Sequence, residues 1–339
     1  MLFLSLCSLT LLAQPLIALP ESYVAYFTKQ PVVIDGQITE SDWKRAEWSR
    51  AFVDIEGETR PQPRFATRVK MIWDETYFYF VALLEEPHVW GTITKRDSVI
   101  YKDNDFEIFI DPNGDNHEYY EVEINALNTV WDLFLEKPYR DGGVADNDWD
   151  IQGLKTAVNI LGSGNNPLDT DQGWQIEIAI PWAALKEAAK KPSPPLNGDQ
   201  WRVNFSRVEW RHQIENGKYL KVPETPEDNW TWSPQGYIAM HRPETWGYVQ
   251  FSRENFGQTE FQWDGTQQPR LDLHEIYEAQ KIYYKRQGHY TDKVTDLDCQ
   301  CTNHPVHIEL LSTGFVAKML LGDKLLKIDH QSKTTVEDL

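Results

Sequence analysis

The sequence predicts a mainly β protein: an antiparallel β-sandwich followed by a small α+β unit. Three observations carry that expectation. Short runs alternating apolar with polar residues recur between residues 51 and 251, each broken by Gly, Pro, Asn or Asp, as in antiparallel sheets. Across residues 257–269 the composition turns to Gln, Gly and Thr, the mark of a boundary. Beyond it, helical periodicity returns at Leu273, Ile276, Tyr277, Ile282 and Tyr284.

The bulk properties bound the function. A hydrophobic share of 41% excludes wholesale disorder. The formal charge of −19 argues against nucleic acid and anionic membrane surfaces, because phosphate binding needs clustered cations. Residues 1–18 are apolar and short. They read as a signal peptide ending near Ala18, although no Lys or Arg precedes the apolar run; a membrane span needs about 20 apolar residues. The expected setting is secreted or periplasmic, with no membrane span. The expected layout is a signal peptide at 1–18, a sandwich at 19–256, a linker at 257–270 and the α+β unit at 271–339.

Taken in order, 31–36 should be the first strand. Thr39 should then cap a short helical turn, with Asp42 in the reciprocal position and Trp43 and Ala46 turned inward. Strands are expected at 51–55, 66–73, 76–84, 105–111, 118–126, 129–136, 154–161, 173–180, 201–210 and 247–251. A helix at 182–190 is entered through Pro181 and stopped by the proline-rich stretch that follows. In the C-terminal unit a helix at 271–287 should end at Gly288, before β-like runs at 306–311, 314–320 and 324–328. A helix followed by small strands resembles the globular part of type IV pilin-like proteins; the unit's protein partner is left open. Cys299 and Cys301 stand one residue apart, near His304 and His307, either as a loop pair or as a local metal cluster.

The chemistry concentrates between residues 103 and 128. Side chains two apart on a strand share a face. Phe106, Ile108 and Ile110 therefore share one face, as do Tyr120, Val122 and Ile124. Asp105, Glu107, Phe109 and Asp111 fall on the other, with Glu121, Glu123 and Asn125. That acidic face is expected to meet solvent, as a soluble surface or as a polar ligand platform. Glu107 with Glu121 or Glu123 could approach the separation of about 5 Å used by retaining glycosidases, but facing strand residues reach it in any sheet. Asp111, Asn113 and Asp115 place oxygens at alternate positions of the turn, either a structural calcium site or a plain polar hairpin; no other cofactor is expected. P-loop, GxSxG, HExxH and dinucleotide motifs do not occur.

Three stretches carry a resemblance. Val33-Ile34-Asp35-Gly36 with Glu40, Trp43 and Ala46, then Val69 to Asp74 with Tyr77 to Phe80, then Tyr101 to Asp111 around Glu107-Ile108-Phe109-Ile110-Asp111, are similar to motifs of family 9 carbohydrate-binding modules. The resemblance covers about residues 31–251. It implies a jelly-roll-type sandwich that binds a poly- or oligosaccharide, such as a xylan, cellulose or algal glycan, without catalysis, in carbohydrate catabolism. It also allows a structural calcium ion. Carried over by residue, Glu107 is the sugar-contacting Glu, Asn125 a contact amide and Tyr101 one sandwiching aromatic. Glu123 stands where the family has Arg, and Ser206 where it has Gln. His241 is the nearest match for the second aromatic, with Trp230 and Trp232 as alternatives. A glycoside hydrolase using the paired carboxylates, and an extracellular scaffold, are the competing expectations.

Overall fold

A computed structural model describes residues 19–299 and 304–339; the expected signal peptide and Cys301 lie outside them. The main sheet uses β1 (Ser22–Phe27), β2 (Val53–Asp54), β3 (Thr67–Trp73), β4 (Tyr77–Glu85), β5 (Asp105–Asp111), β6 (Tyr119–Asn125), β7 (Val130–Leu135) and β8 (Ala145–Asp146). It continues through β9 (Lys155–Leu161), β10 (Gly173–Pro181) and β11 (Gln200–Glu209). A small hairpin, β12 (His212–Glu215) and β13 (Lys218–Lys221), interrupts it before β14 (Asp228–Thr231) and β15 (Gly247–Ser252). Two helices decorate it, α1 (Ser41–Arg45) and α2 (Trp182–Ala189).

The strand order is β8-β7-β6-β5-β11-β15-β1-β3-β4-β10-β9, with β14 beside β11 and β2 beside β14. Among the described strands β1 alone pairs in parallel, with β15 and β3; the other pairings are antiparallel. The sheet curls so that its two halves face each other. Phe106, Ile108, Val122, Ile124, Val203 and Phe205 from one half meet Met71, Phe78, Phe80, Ile176 and Ile178 from the other in one core. Trp182 stacks on Phe78 with ring centroids 5.3 Å apart, and Phe251 meets Phe78 edge-on at 5.1 Å. Such pairs add about 0.5–1.5 kcal/mol beyond their buried area. Period-2 alternation thus builds a mainly β, sandwich-like domain.

The first expected strand is corrected. Residues 31–36 are not a strand, and β1 lies before them. The Val-Val-Ile run invites a ladder, but the backbone N–H groups of Asp35 and Gly36 donate to Glu177 Oε2 instead, at 3.0 and 2.9 Å. Trp43 Nε1 donates to the other oxygen of Glu177 at 3.2 Å. Gly36 sits at φ 83° with the Asn159 backbone 3.1 Å from where a Cβ would stand, so close approach and left-handed backbone both call for glycine. The cap is corrected too: Glu40, not Thr39, precedes α1, and Asp42 accepts from Thr28 Oγ1 at 2.7 Å. The opening motif is therefore an anchor for one loop. Glu177→Ala, which leaves three donors without their acceptor, should cost about 2 kcal/mol in urea unfolding, and Glu177→Gln, which keeps an acceptor, should cost less.

The C-terminal unit packs α3 (Gln267–Gln287) on a sheet of β16 (Val306–Leu310), β17 (Phe315–Leu321), β18 (Lys324–Asp329) and β19 (Thr334–Asp338). Leu273, Ile276, Tyr277, Phe315, Leu326 and Ile328 close its own core. The helix begins at Gln267, inside the segment expected as a linker, and stops at Gly288 (φ 79°), whose N–H reaches Tyr284 O at 2.8 Å. Cys299 is disulfide-bonded. The unit docks on the sandwich through polar contacts. Asp141 accepts from Tyr277 Oη at 2.6 Å, Ser332 Oγ at 2.7 Å and Lys281 Nζ at 3.0 Å. Arg242 reaches Glu278 at 2.9 Å, and Asn116 donates to Ser332 O at 3.0 Å.

Candidate functional site

The acidic face of β5 and β6 gathers buried carboxylates, some with unpartnered oxygens among the described residues. Its register sets Glu107 opposite Glu123, Phe109 opposite Glu121 and Asp105 opposite Asn125. On the flanks, Ser206 of β11 faces Glu107 and Trp131 of β7 faces Glu123. The expectation of a solvent-facing strip is corrected: Asp105, Glu107, Glu121 and Glu123 are all buried. The reason is a second, smaller core on that side, where Ile55, Met240 and Trp246 close over Phe109, Tyr119, Leu133 and Leu135. Alternation tells which face a side chain takes, not what later folds over it.

One carboxylate oxygen each from Asp105, Glu107 and Glu123 lies within 4.8 Å of the others. Burial pushes Glu107 from its ordinary 4.5 to about 7. Burial, reinforced by the neighbouring carboxylates, pushes Asp105, Glu121 and Glu123 well upward. Asp105 Oδ2 and Glu121 Oε2 have no hydrogen-bond partner among the described residues. Glu123 Oε2 accepts the Tyr101 N–H at 2.9 Å, which ties the rim to the floor.

Aromatics stand around this floor. Tyr101 is 40% and Tyr139 47% exposed. Burial, then the charges of Glu121 and Glu123, raise the Tyr139 hydroxyl to about 12. His241 bridges rim and floor: Nδ1 is 3.0 Å from Tyr119 Oη, Nε2 3.8 Å from Glu121, and its ring meets Tyr139 edge-on at 4.4 Å. Burial lowers its pKa to about 4, so it is neutral beside the acids. Tyr139 and Trp131 were missed from sequence. Trp131 shares a face with Glu123 only once the β6–β7 register is known, and Tyr139 sits in an irregular turn that no periodicity marks.

The remaining expected residues are placed elsewhere or otherwise occupied. Trp230 and Trp232 are core tryptophans, packed by Phe65 and Phe205 respectively, so they offer no face to a ligand. Asn125 spends its amide on Ile93 O (2.8 Å) and Asp103 (3.0 Å), and its oxygen on the N–H groups of Leu127 and Thr129. Ser206 is buried beside Glu107. Asp111, Asn113 and Asp115 turn their oxygens onto the N–H groups of Gly114, Asn116, Asp115 and His117. They are the inside of a polar turn that carries the C-terminal unit, and Gly114 O itself accepts from Arg270 at 2.9 Å.

Residues 34–198 match the family described as carbohydrate family 9 binding domain-like. A stretch of 159 residues is 27% identical to endo-1,4-β-xylanase A of Thermotoga maritima, covering 45% of this chain and only 12% of that enzyme's length. A structure from Bacteroides uniformis, described as a candidate carbohydrate-binding protein, covers 69% of this chain and 100% of its own at 17% identity and a TM-score of 0.51. A family 9 carbohydrate binding module from Caldicellulosiruptor kristjanssonii, in complex with cellotriose, covers 71% of this chain and 98% of its own at 16% identity and a TM-score of 0.46. Among the described residues no helix is long and apolar enough to cross a membrane. Over residues 34–198 the β-sandwich of this chain is thus similar to carbohydrate family 9 binding domains.

Proposed function

We propose that this chain is an exported protein that binds a neutral poly- or oligosaccharide, without cleaving it, on the face of β5 and β6. One observation carries the reading: exposed Tyr101 and Tyr139 border a floor of buried carboxylates in the domain that matches the family. Sugar recognition in water needs this pairing. Aromatic faces remove C–H surface from water, and fixed polar groups take the hydroxyls. The apolar stretch at residues 1–18 supports export. The kinship with a xylanase supports plant-type β-glycans as the first ligands to try.

Hydrolysis has one observation in its favour, since a carboxyl raised to about 7 suits a general acid. Against it, the acids lie side by side on one floor rather than on two walls of a cleft. A glycan array run in parallel with a reducing-sugar release assay separates the two. The expected result is retention of β-glucans or xylans with no release. Tyr139→Ala should weaken retention by about 1 kcal/mol. Release of reducing ends would establish the hydrolase, and retention of no glycan by folded protein would leave the scaffold role.

A further inference from the structure

We propose that Asp105, Glu107 and Glu123 form a binding site for a divalent cation of calcium's size. The inference goes beyond carbohydrate binding and stands whether or not a glycan occupies the same face. It begins with geometry. Calcium holds oxygens at about 2.3–2.6 Å, so two ligands on opposite sides of one ion lie about 4.8 Å apart. The three carboxylate oxygens fall within that limit of one another. An all-oxygen carboxylate set suits a hard cation such as calcium and does not favour zinc or copper.

The second observation is that oxygens at the site are buried and unpartnered. Asp105 is fully buried, yet its Oδ2 meets no donor among the described residues. The next acid along β6, Glu121, is in the same condition at Oε2. Buried charges are normally paired or metal-bound. No ion pair of the described residues involves Asp105, Glu107 or Glu123, and the contact of Glu121 is with a histidine that burial keeps neutral.

A second acidic group in the chain shows the contrast. Asp97, Asp132 and Asp150 also converge, but Arg96 sits among them, 2.5 Å from Asp132 and 2.9 Å from Asp150. There the protein supplies its own cation. On the floor of β5 and β6 none of the described residues pairs a cation with Asp105, Glu107 or Glu123.

Terbium luminescence on the full chain, stripped with chelator, tests the proposal, with Trp131 beside Glu123 as the light-harvesting ring. One terbium ion per chain should bind and be displaced by calcium. Glu123→Gln and, separately, Asp105→Asn should each weaken terbium by about 100-fold or more, above the 10–100-fold lost with an outer-shell partner. Asp97→Asn should leave it unchanged. Should either floor variant fail to fold, calorimetry of calcium into the wild type still reads a single site. No calcium heat and no terbium signal from folded protein would overturn the proposal. So would a signal lost in Asp97→Asn but kept in the floor variants.

Discussion

Arg207→Met should lower the unfolding free energy by about 3–5 kcal/mol at pH 9 and by clearly less at pH 6. Arg207 is fully buried between two carboxylates, with Nη2 2.8 Å from Glu209 and 3.4 Å from Glu86, while Nη1 donates to Thr67 at 3.1 Å. Glu86, which directly follows β4, also accepts from Asn104 at 2.6 Å and Trp174 Nε1 at 2.9 Å, so the network joins β3, β10 and β11. Burial, then the charge of Glu209, already pushes Glu86 to about 8 against the pull of Arg207. Removing the guanidinium raises both carboxyls further. The folded variant then holds protons that the unfolded chain releases, so its deficit grows as pH rises through that range. Urea titrations at the two pH values check this. An equal loss at both would mean that charge is not what the arginine balances, and adding Glu209→Gln should recover part of the loss.

The second large effect is a pH slope. In chelator, stability should fall by several kcal/mol as pH rises from about 5 to 8. Glu107 moves from its ordinary 4.5 to about 7 on folding. Its folded form therefore keeps a proton that the unfolded chain loses. That contribution is complete below about pH 4.5 and gone above about 7, and amounts to about 3 kcal/mol. Asp105, Glu121 and Glu123 act in the same sense, and Glu177, raised to about 7 mainly by burial, adds to them. The groups facing this floor include Asp103, Glu227, Tyr139 and His241. Four histidines of the described residues oppose the slope: His241, lowered to about 4, His274, lowered to about 3, and His117 and His212, also lowered, all mainly by burial, so each disfavours the fold below its ordinary 6.5. Above that value the carboxyls act unopposed. Denaturation curves at pH 5, 6.5 and 8 read the slope, and Glu107→Gln should flatten it. A stability that rises steadily to pH 8 would contradict the burial of these acids.

How much of this was legible in the sequence depends on what holds each element. Asp105–Asp111 and Tyr119–Asn125 were readable because their inner residues alternate with polar ones, and that pattern survives any covering. β1 was not, since Ser22–Phe27 carries little alternation and its partners, β15 and β3, lie far along the chain. Residues 31–36 misled because β-branched propensity is weaker than the carboxylate of Glu177, which takes the backbone donors there. The acids of the site were legible as a face; their burial was not, because Met240 and Trp246 return from more than a hundred residues away. The aromatic rim was half legible. Tyr101 sits in a recognisable motif, while Tyr139 is held through its neighbours, with Arg140 on Glu244 and Asp141 on the C-terminal unit.

The central claim is that the face of Glu107 binds carbohydrate, and calorimetric titration of cello- and xylo-oligosaccharides into wild type and Glu107→Gln tests it most directly. The account predicts one site per chain in the wild type, weakened by about 1–3 kcal/mol in the variant at pH 8 while the fold is kept, because one of the two acceptor oxygens of Glu107 becomes an amide donor. Equal affinity in both proteins would contradict it, as would the absence of heat with every oligosaccharide.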